Sequence, residues 1–308
     1  MMKRLRSHKD STAVNLALGS GAARGLAHIG VLKVLDKKGI KIRKICGTSI
    51  GALIGGLYAA GLSSGDIEKV ILGLDRKKLL SFFMPSFNLS GFLDGGEIME
   101  FIRSVIGNPV IEKLSIPFSA VATDVMTGKE HLFVSGSLLA AIRSSISIPG
   151  IFAPCRFGKK YLVDGGLVNP LPVNHLNKKN GEKNIAVNVI PPPNRGYVRS
   201  RLVYPREKNK RKGEPLLLEK IPLLKNIGED IKGRLLRKIS RFRSRPDIFS
   251  VILQTIDIME YKIMELGLKE NPPDVLIEPD AGRIFPLQFF KREELIALGE
   301  RTADGSIA

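Results

Sequence analysis

Ser49 stands between Gly47 and Gly51 in the stretch "CGTSIGAL", which fits the pattern G-x-S-x-G. Small residues two positions either side of a serine let the backbone fold sharply between a strand and a helix. Such a turn lifts the hydroxyl to the head of the helix, where the helix dipole favours developing negative charge. The pattern therefore makes Ser49 a candidate nucleophile. The alternative is a glycine-rich turn in which Ser49 only caps the helix.

A nucleophilic serine needs a base. Asp164, in "YLVDGGLVNPLP", follows a strand, and Gly165 and Gly166 after it would let another backbone or a ligand approach closely. Its unperturbed pKa of about 3.9 makes it a weak base, but a nonpolar pocket can raise that pKa. A turn-forming Asp-Gly pair is the alternative. The order Ser, acid, His would also be met by Ser49, Asp164 and His175, although His175 is expected on a surface helix.

Two further polar residues are expected to be structural. His28 falls within the first predicted helix and is interpreted as a packed or capping histidine. Asp94 begins a second Asp-Gly-Gly, in "GFLDGGEIMEF", but it precedes a helix instead of following a strand. It is therefore predicted to form a turn or an N-cap.

A glycine-rich loop lies in "LALGSGAARGLAHIGVL", between a predicted strand and a predicted helix. Such loops bind the phosphates of dinucleotides or the oxyanion of an ester under attack. The dinucleotide fingerprint requires G-x-G-x-x-G and an acidic residue at the end of the next strand. Here the glycines are Gly19, Gly21 and Gly25, one residue too far apart, and the next strand closes on Ser49. Both departures argue against a dinucleotide site.

Hydrophobic periodicity around these residues predicts an α/β fold. The first sixty residues follow the order strand, helix, strand, helix, which implies a parallel sheet. Strands are predicted over 13–18, 42–48, 117–125, 130–134, 161–163, 184–190 and 274–278. Helices are predicted over 25–38, 50–60, 64–72, 96–106, 137–145, 248–268 and 287–301.

Length and composition indicate how many domains the protein has and in which cellular compartment it lies. The 308 residues suffice for one large or two small domains, and the two cysteines, Cys46 and Cys155, cannot form a disulfide framework. The N-terminal stretch lacks the uninterrupted apolar core of a signal peptide. No apolar run reaches the roughly 18 residues of a membrane-spanning helix. We therefore expect a cytoplasmic protein.

The formal net charge of +18 favours anionic partners, and much of it falls between about 195 and 245. This basic segment mixes "REKNKRK" and "RLLRKISRFRSR" with the apolar "PLLLEKIPLL", as an element at a membrane interface does. We expect it to be an insertion that docks on anionic membrane. A solvated loop is one alternative. Nucleic-acid binding is another, disfavoured because few aromatic residues lie nearby.

Five motifs occur in the order found in patatin-like phospholipases. The chain resembles the bacterial cytoplasmic members of that family, which are related to the esterase module of neuropathy target esterase. The resemblance covers nearly the whole chain except the basic segment. The motifs are "LALGSGAARGLAHIGVL", "GTSIGAL", "VATDVMTGKE", "SSISIPGIFAP" and "LVDGGLVNPLP".

The resemblance implies a single three-layer α/β domain over 1–308, with a mostly parallel central sheet flanked by helices. Its core would comprise about 13–192 and 246–302, with the insertion between them. Ser49 matches the family nucleophile and Asp164 the dyad aspartate, with no catalytic histidine, metal or cofactor. The loop matches the oxyanion hole, although many family members carry glycine where Ala22 stands. The matching loop residues are Gly19, Gly21, Ala22, Arg24 and Gly25.

The activity that the resemblance implies is hydrolysis of acyl esters of phospholipids or lysophospholipids through an acyl-enzyme. A thioesterase or acyltransferase acting through the same acyl-enzyme is one alternative. A lipid-binding regulatory protein with little turnover is another. In each case we expect the protein to lie in the cytoplasm, peripheral to the inner face of the membrane.

Overall fold

The computed structural model of this chain describes residues 13–83, 94–179, 181–193 and 248–307. Their centre is an eight-stranded mixed sheet. Its strands are β1 Val14–Leu18, β2 Ile42–Thr48, β3 Phe118–Asp124, β4 Glu130–Phe133, β5 Cys155–Phe157, β6 Lys160–Asp164, β7 Lys183–Val187 and β8 Val275–Ile277. The α-helices of these ranges are α1 Ala27–Lys37, α2 Ile50–Ala59, α3 Ser64–Gly73, α4 Arg76–Phe83, α5 Gly96–Ile106, α6 Leu138–Ser145, α7 Ile248–Glu270 and α8 Arg292–Ser306.

The sheet has a parallel part and an antiparallel part. Along the hydrogen-bonded path the order is β5-β6-β3-β2-β1-β7-β8, and β4 pairs with β3. Pairing is parallel from β3 through β2, β1 and β7 to β8. Strands β4, β5 and β6 pair antiparallel. The predicted α/β class with a central sheet is confirmed, and its parallel part contains the two strands that begin the chain.

Apolar residues cover both faces of the sheet. Successive strand residues point to opposite faces, so in β1 Leu16 and Leu18 join one hydrophobic cluster and Ala17 joins the other. The first cluster contains the buried faces of α1, α2 and α6. The second contains Met264 of α7 and the chain that follows β6. The described residues therefore form helix, sheet and helix layers.

A few local elements differ from the sequence-based expectation. Helix α4 and strand β5 are not predicted, since both are short and lack a clear period. His175 ends a three-residue 3-10 helix, Val173–His175, instead of lying in a surface α-helix. The predicted insertion at about 195–245 lies outside the described residues, so the domain boundaries stay a prediction. Across the described ranges, none of the helices is long and apolar enough to cross a bilayer.

Strand β3 places the ends of two other strands against each other. On one side, its residues 120–123 pair with β4. On the other side, β2 pairs with the first half of β3 and β6 with the second half, so that Val121 lies opposite Thr48 and Ala122 opposite Asp164. Strands β2 and β6 therefore run toward each other along one edge of β3. The residue after Thr48 is Ser49, which this arrangement brings to Asp164.

Candidate active site

Ser49 occupies a strained turn between β2 and α2. Its backbone has φ 55° and ψ −123°, a region that residues other than glycine rarely adopt. Its N–H donates to Ser145 Oγ at 2.8 Å, and Ser145 Oγ donates to the carbonyl of Val121 at 2.6 Å. The neighbouring strand β3 thus holds the turn in place through Ser145.

Gly47 and Gly51 are required by close packing of the backbone. A Cβ on Gly51 would lie 2.1 Å from the carbonyl oxygen of Leu18, and one on Gly47 would lie 2.5 Å from the carbonyl oxygen of Gly51. These contacts press the start of α2 against the end of β1 and the loop that follows. The G-x-S-x-G spacing therefore lets the serine turn lie directly beside the glycine-rich loop.

The structure brings Ser49 and Asp164 into direct contact. Ser49 Oγ donates to Asp164 Oδ2 at 2.5 Å, and the N–H of Gly166 donates to the other carboxylate oxygen at 2.8 Å. The backbone of Asp164 is also fixed, because its carbonyl accepts from Thr123 Oγ1 and its N–H donates to the carbonyl of Ser147. Both carboxylate oxygens therefore have defined partners.

Burial changes the basicity of this carboxyl group. Loss of solvent raises the pKa of Asp164 to about 7, while the hydrogen bonds from Ser49 and Gly166 oppose the rise. Burial disfavours the charged form of a carboxyl group, and a base works best when its pKa lies near the working pH. Asp164 is thus a stronger base here than a solvated aspartate.

The glycine-rich loop turns its central residues toward the same place. Four of its N–H groups donate to carbonyl oxygens of the protein, those of Gly19, Ser20, Ala23 and Arg24. The N–H groups of Gly21 and Ala22 have no such partner within the described residues, and both residues line a pocket with Ser49 and Asp164. The pair is therefore free to bind a ligand.

The backbone of Ala22 adopts a conformation that favours glycine. Ala22 has φ 50°, in the left-handed region that glycine enters without cost. Alanine tolerates this conformation at a modest cost in free energy and keeps its N–H. Alanine at this position therefore leaves the N–H of residue 22 available in the pocket.

Arg24 and Gly25 secure the loop from behind. The buried guanidinium of Arg24 donates through Nη2 to Asp257 Oδ2 at 2.8 Å and through Nε to the carbonyl of Ile284 at 2.9 Å. A Cβ on Gly25 would lie 2.1 Å from Ile50 Cγ2, so this glycine lets the loop pack on α2. The backbone N–H of Arg24 donates to the carbonyl of Gly21. The hydrogen bonds of Arg24 therefore fix the conformation of the loop.

His28 supports the loop as well and is packed, as predicted. Its Nε2 lies 2.9 Å from the carbonyl oxygen of Gly19, and because a carbonyl only accepts, Nε2 carries the hydrogen. Complete burial lowers the pKa of His28 to about 4, so the ring is neutral at pH 7. The histidine fixes the first residue of the loop and stays uncharged.

Neither of the remaining candidates, His175 and Asp94, lines the pocket that contains Ser49. His175 Nε2 contacts Glu130 Oε1 at 2.5 Å, and its side chain is partly buried. Asp94 is exposed, and its Oδ1 accepts from the N–H of Gly96 at 2.8 Å, which is the predicted turn. Gly95 occupies the N-cap position of α5.

Sequence reasoning missed Glu260, an acidic residue of α7. Its side chain is only 6% exposed and accepts a hydrogen bond from Ser20 Oγ at 2.6 Å. It lines the same pocket as Ser49 and Asp164. A signal does exist, because Leu253, Glu260 and Met264 follow helical spacing on the buried face of α7. A carboxyl group on the apolar stripe of a helix is the unusual observation.

The pocket combines these polar groups with apolar walls. About 380 Å³ lie between the walls, part of it open to solvent. In the described part of the chain, no group of three or more His, Cys, Asp or Glu side chains has the arrangement of a metal site. The apolar lining residues are Ile148, Ile151, Leu253, Ile256, Pro286 and Leu287.

Comparison with known families gives a match over the part of the chain that contains the glycine-rich loop, Ser49 and Asp164. The family model described as "Patatin-like phospholipase" matches residues 16–176. An uncharacterised NTE family protein of Mycobacterium tuberculosis is 42% identical over 180 residues, which are 58% of this chain and 50% of the relative. The chain thus spans about half the length of this relative.

More distant similarities extend over nearly all of the chain. Lysophospholipase NTE1 of Debaryomyces hansenii is 28% identical over 312 residues, covering 98% of this chain and 18% of that protein. Among solved structures, VipD from Legionella pneumophila superimposes with a TM-score of 0.48 at 14% identity, covering 97% of this chain and 67% of VipD.

Proposed function

The chain belongs to the patatin-like phospholipase family, and from that premise we propose that it hydrolyses lipid acyl esters with Ser49 as nucleophile and Asp164 as base. One observation carries the proposal: the 2.5 Å hydrogen bond from Ser49 Oγ to Asp164 Oδ2 inside a largely apolar pocket. A hydroxyl already bonded to a buried carboxylate can pass it a proton as the hydroxyl oxygen attacks.

The proposed first half-reaction forms an acyl-enzyme. Ser49 Oγ attacks the ester carbonyl carbon, its proton moves to Asp164, and the carbonyl oxygen becomes an oxyanion. The N–H groups of Gly21 and Ala22 would donate to that oxyanion, and removal of one such donor typically costs about 3–4 kcal/mol. As the C–O bond of the ester breaks, Asp164 returns the proton to the leaving alkoxide.

The second half-reaction releases the fatty acid. A water molecule gives its proton to Asp164 and attacks the acyl carbon, and the oxyanion forms again at the same donors. The bond to Ser49 Oγ then breaks and Asp164 returns the proton to Ser49. An ester suits this dyad, because an alkoxide needs less help in leaving than an amine does.

The walls of the pocket and the names of the relatives support a lipid substrate. Apolar side chains such as Ile148, Ile151 and Leu287 line the space beside Ser49 and suit an acyl chain. A relative similar over 98% of this chain is named a lysophospholipase. We therefore propose phospholipids or lysophospholipids as the substrate class.

Active-site labelling combined with turnover tests the proposal. The wild-type protein should react with a fluorophosphonate probe at Ser49, hydrolyse a short-chain nitrophenyl ester and release fatty acid from a lysophospholipid. Ser49→Ala should lose all three activities and stay folded. Labelling with acyl transfer to an added alcohol, and little hydrolysis, would indicate an acyltransferase. No labelling of the folded wild-type protein would indicate a binding role and contradict the proposal.

We also propose that the protein docks on anionic membrane, where such a substrate lies. Helix α7 supports this idea, because its inward residues Leu253 and Ile256 line the pocket while apolar side chains are exposed on its other face. The net charge of +18 adds attraction to anionic lipid. The exposed apolar residues of α7 are Val251, Ile252, Ile258, Met259 and Leu266.

Sedimentation with vesicles at varied salt tests the docking. Binding should rise with the fraction of anionic lipid and fall with salt. It should weaken in Met259→Ser with Leu266→Ser, whereas Val134→Ser, at an exposed position elsewhere, should bind as the wild type does. Hydrolysis of a soluble ester reports whether each variant keeps its site. Equal vesicle binding by all proteins would reject the role of α7.

The sequence also predicts weaker binding when six cations are neutralised together: Lys210, Arg211, Lys212, Arg241, Arg243 and Arg245.

A further inference from the structure

Glu260 is a second buried carboxyl group in the pocket of the dyad. Its Oε2 accepts from Ser20 Oγ at 2.6 Å, and Ser20 belongs to the glycine-rich loop. Ser20, Glu260 and Asp164 all line the pocket. The mechanism proposed above uses Asp164 and assigns no role to Glu260.

One glycine separates the two carboxyl groups. The N–H of Gly166 donates to Asp164 Oδ1 at 2.8 Å. On the other side, a Cβ on Gly166 would lie 2.2 Å from Glu260 Oε1 and 3.1 Å from Ser20 Oγ. Glu260 therefore packs directly against the residue whose N–H binds the carboxylate of Asp164, and a side chain at position 166 would displace it.

Two carboxylates this close inside a protein do not both ionise easily. Burial, and next the charge of Asp164, raise the pKa of Glu260 well above its usual range. Two further charged groups of the described residues act on Glu260: Asp257, one turn earlier on α7, and Arg24 from the 3-10 helix of the loop. Arg24 and Asp257 form a salt bridge at 2.8 Å, which commits much of the positive charge of Arg24.

The hydrogen bonds determine which of the two carboxyl groups keeps the proton. Asp164 accepts two, from the hydroxyl of Ser49 and the N–H of Gly166. Among the residues that the structure describes, Glu260 accepts one, from the hydroxyl of Ser20. Hydrogen bonds to a carboxylate stabilise its charged form. Asp164 is thus the better site for the negative charge and Glu260 the better site for the proton.

We propose that Glu260 is a positioning residue that stays protonated in the active enzyme, so that of the two carboxyl groups Asp164 alone carries the charge. The inference rests on the proposed function of Asp164 as the base. Ionisation of Glu260 at alkaline pH would place a second negative charge beside Asp164 and the glycine-rich loop. That charge opposes the oxyanion formed in the reaction, so turnover should fall.

The pH dependence of kcat/KM on a soluble ester tests the inference. The wild type should give a bell-shaped profile, in which the first ionisation of the pair activates the enzyme and the second inactivates it. Glu260→Gln keeps an oxygen for Ser20 and cannot ionise. The profile of Glu260→Gln should keep the rise of kcat/KM at acid pH and lose the fall at alkaline pH. Two pH units above the alkaline midpoint of the wild type, this variant should keep a roughly 100-fold larger fraction of its maximal kcat/KM than the wild type does.

A second variant guards against a loss caused by misfolding. Ser20→Ala removes the hydrogen bond from Ser20 that stabilises the charged form of Glu260, so the alkaline limb should move to higher pH. An unchanged alkaline limb in Glu260→Gln would overturn the inference. So would a folded Glu260→Gln variant that is inactive at every pH, since a carboxyl group would then be needed for the chemistry itself.

Titration by carbon-13 NMR gives a readout that does not depend on turnover. In protein labelled at Asp and Glu carboxyl carbons, the signal absent from Glu260→Gln should titrate at higher pH than the signal absent from Asp164→Asn. The reverse order would overturn the inference. If Ser49→Ala keeps wild-type hydrolysis, the dyad proposal fails by itself, whatever the order of the two titrations.

Discussion

The chain contains the tripeptide Asp-Gly-Gly at 94–96 and again at 164–166, and in both copies the aspartate side chain accepts the same backbone hydrogen bond. In each, Oδ1 of the aspartate accepts from the N–H of the second glycine at 2.8 Å. Asp94 is exposed and precedes α5. Asp164 is buried at the end of β6 and also accepts from Ser49 Oγ.

The difference between the two copies shows where the chemistry arises. The tripeptide supplies a tight turn with one satisfied carboxylate oxygen, and this much is common to both. Strand β3 supplies the rest for Asp164, because it brings the end of β2 to the end of β6. Burial then raises the pKa of Asp164 to about 7. An aspartate in a solvated turn lacks both the nucleophile and the pocket.

The largest expected difference between the two copies is in catalysis. Asp164→Asn should lower the hydrolysis rate of a nitrophenyl ester by about 100- to 10,000-fold, because it removes the proposed base. Asp94→Asn keeps the acceptor oxygen of an exposed turn and should retain wild-type activity per folded molecule. Steady-state kinetics on both variants, with circular dichroism as the folding control, measures the contrast. A comparable loss of hydrolysis rate in Asp94→Asn, without a change in melting, would contradict the assignment of Asp164 as the base.

Substitution of Gly165, the first glycine after β6, should destabilise the protein far more than substitution of Gly96 in the other copy. A Cβ on Gly165 would lie 2.3 Å from the carbonyl oxygen of Val121, which is backbone of a central strand and cannot move aside. Gly165→Ala should therefore cost about 3 kcal/mol of stability. In Gly96→Ala the Cβ would lie 3.2 Å from Asp94 Oδ1, the end of an exposed side chain, so the change should stay below about 1 kcal/mol. Urea unfolding gives both values, and equal costs would contradict the packing argument.

A smaller difference should appear in the pH dependence of stability. The pKa of Asp164 rises from 3.8 in the unfolded chain to about 7 in the fold, so the folded state holds this proton more tightly. Its contribution to stability is full below about pH 4 and is lost as the pH rises through 7. Asp164→Asn should then be more stable than the wild type at pH 8, with the gain fading toward pH 4. Thermal melts of both proteins between pH 4 and pH 8 measure this gain, and an equal difference in melting at both ends of the range would contradict the effect of burial on Asp164.

The sequence predicts those parts of the site that depend on local pattern. Ser49 and Asp164 are found from their turns and from the ordered motifs around them, and most strands and helices follow from hydrophobic periodicity. The sequence does not predict the role of Glu260, because this residue lines the pocket from α7, whose position depends on packing between residues far apart in the chain. The meeting of β2 and β6 along one edge of β3 escapes for the same reason, since strand register between distant segments leaves no local signal.

The backbone of the loop lies between these two cases. Its glycines indicate an unusual conformation, and Gly21 has the positive φ that such a loop needs. Ala22 also has a positive φ, of 50°, although the residue type alanine does not indicate it. The partners of Arg24 and His28 are likewise absent from the sequence pattern, because the guanidinium reaches α7 and the imidazole reaches back to the carbonyl of Gly19.

The central claim is that a carboxylate alone, with no histidine, activates Ser49. The most direct test is the rate at which a fluorophosphonate acylates Ser49 in Asp164→Asn and in His175→Ala. We expect a wild-type rate in His175→Ala, because that imidazole contacts Glu130 at 2.5 Å. In Asp164→Asn we expect a rate at least about 100-fold lower. A folded His175→Ala variant that is as slow as Asp164→Asn would contradict the dyad and establish a triad.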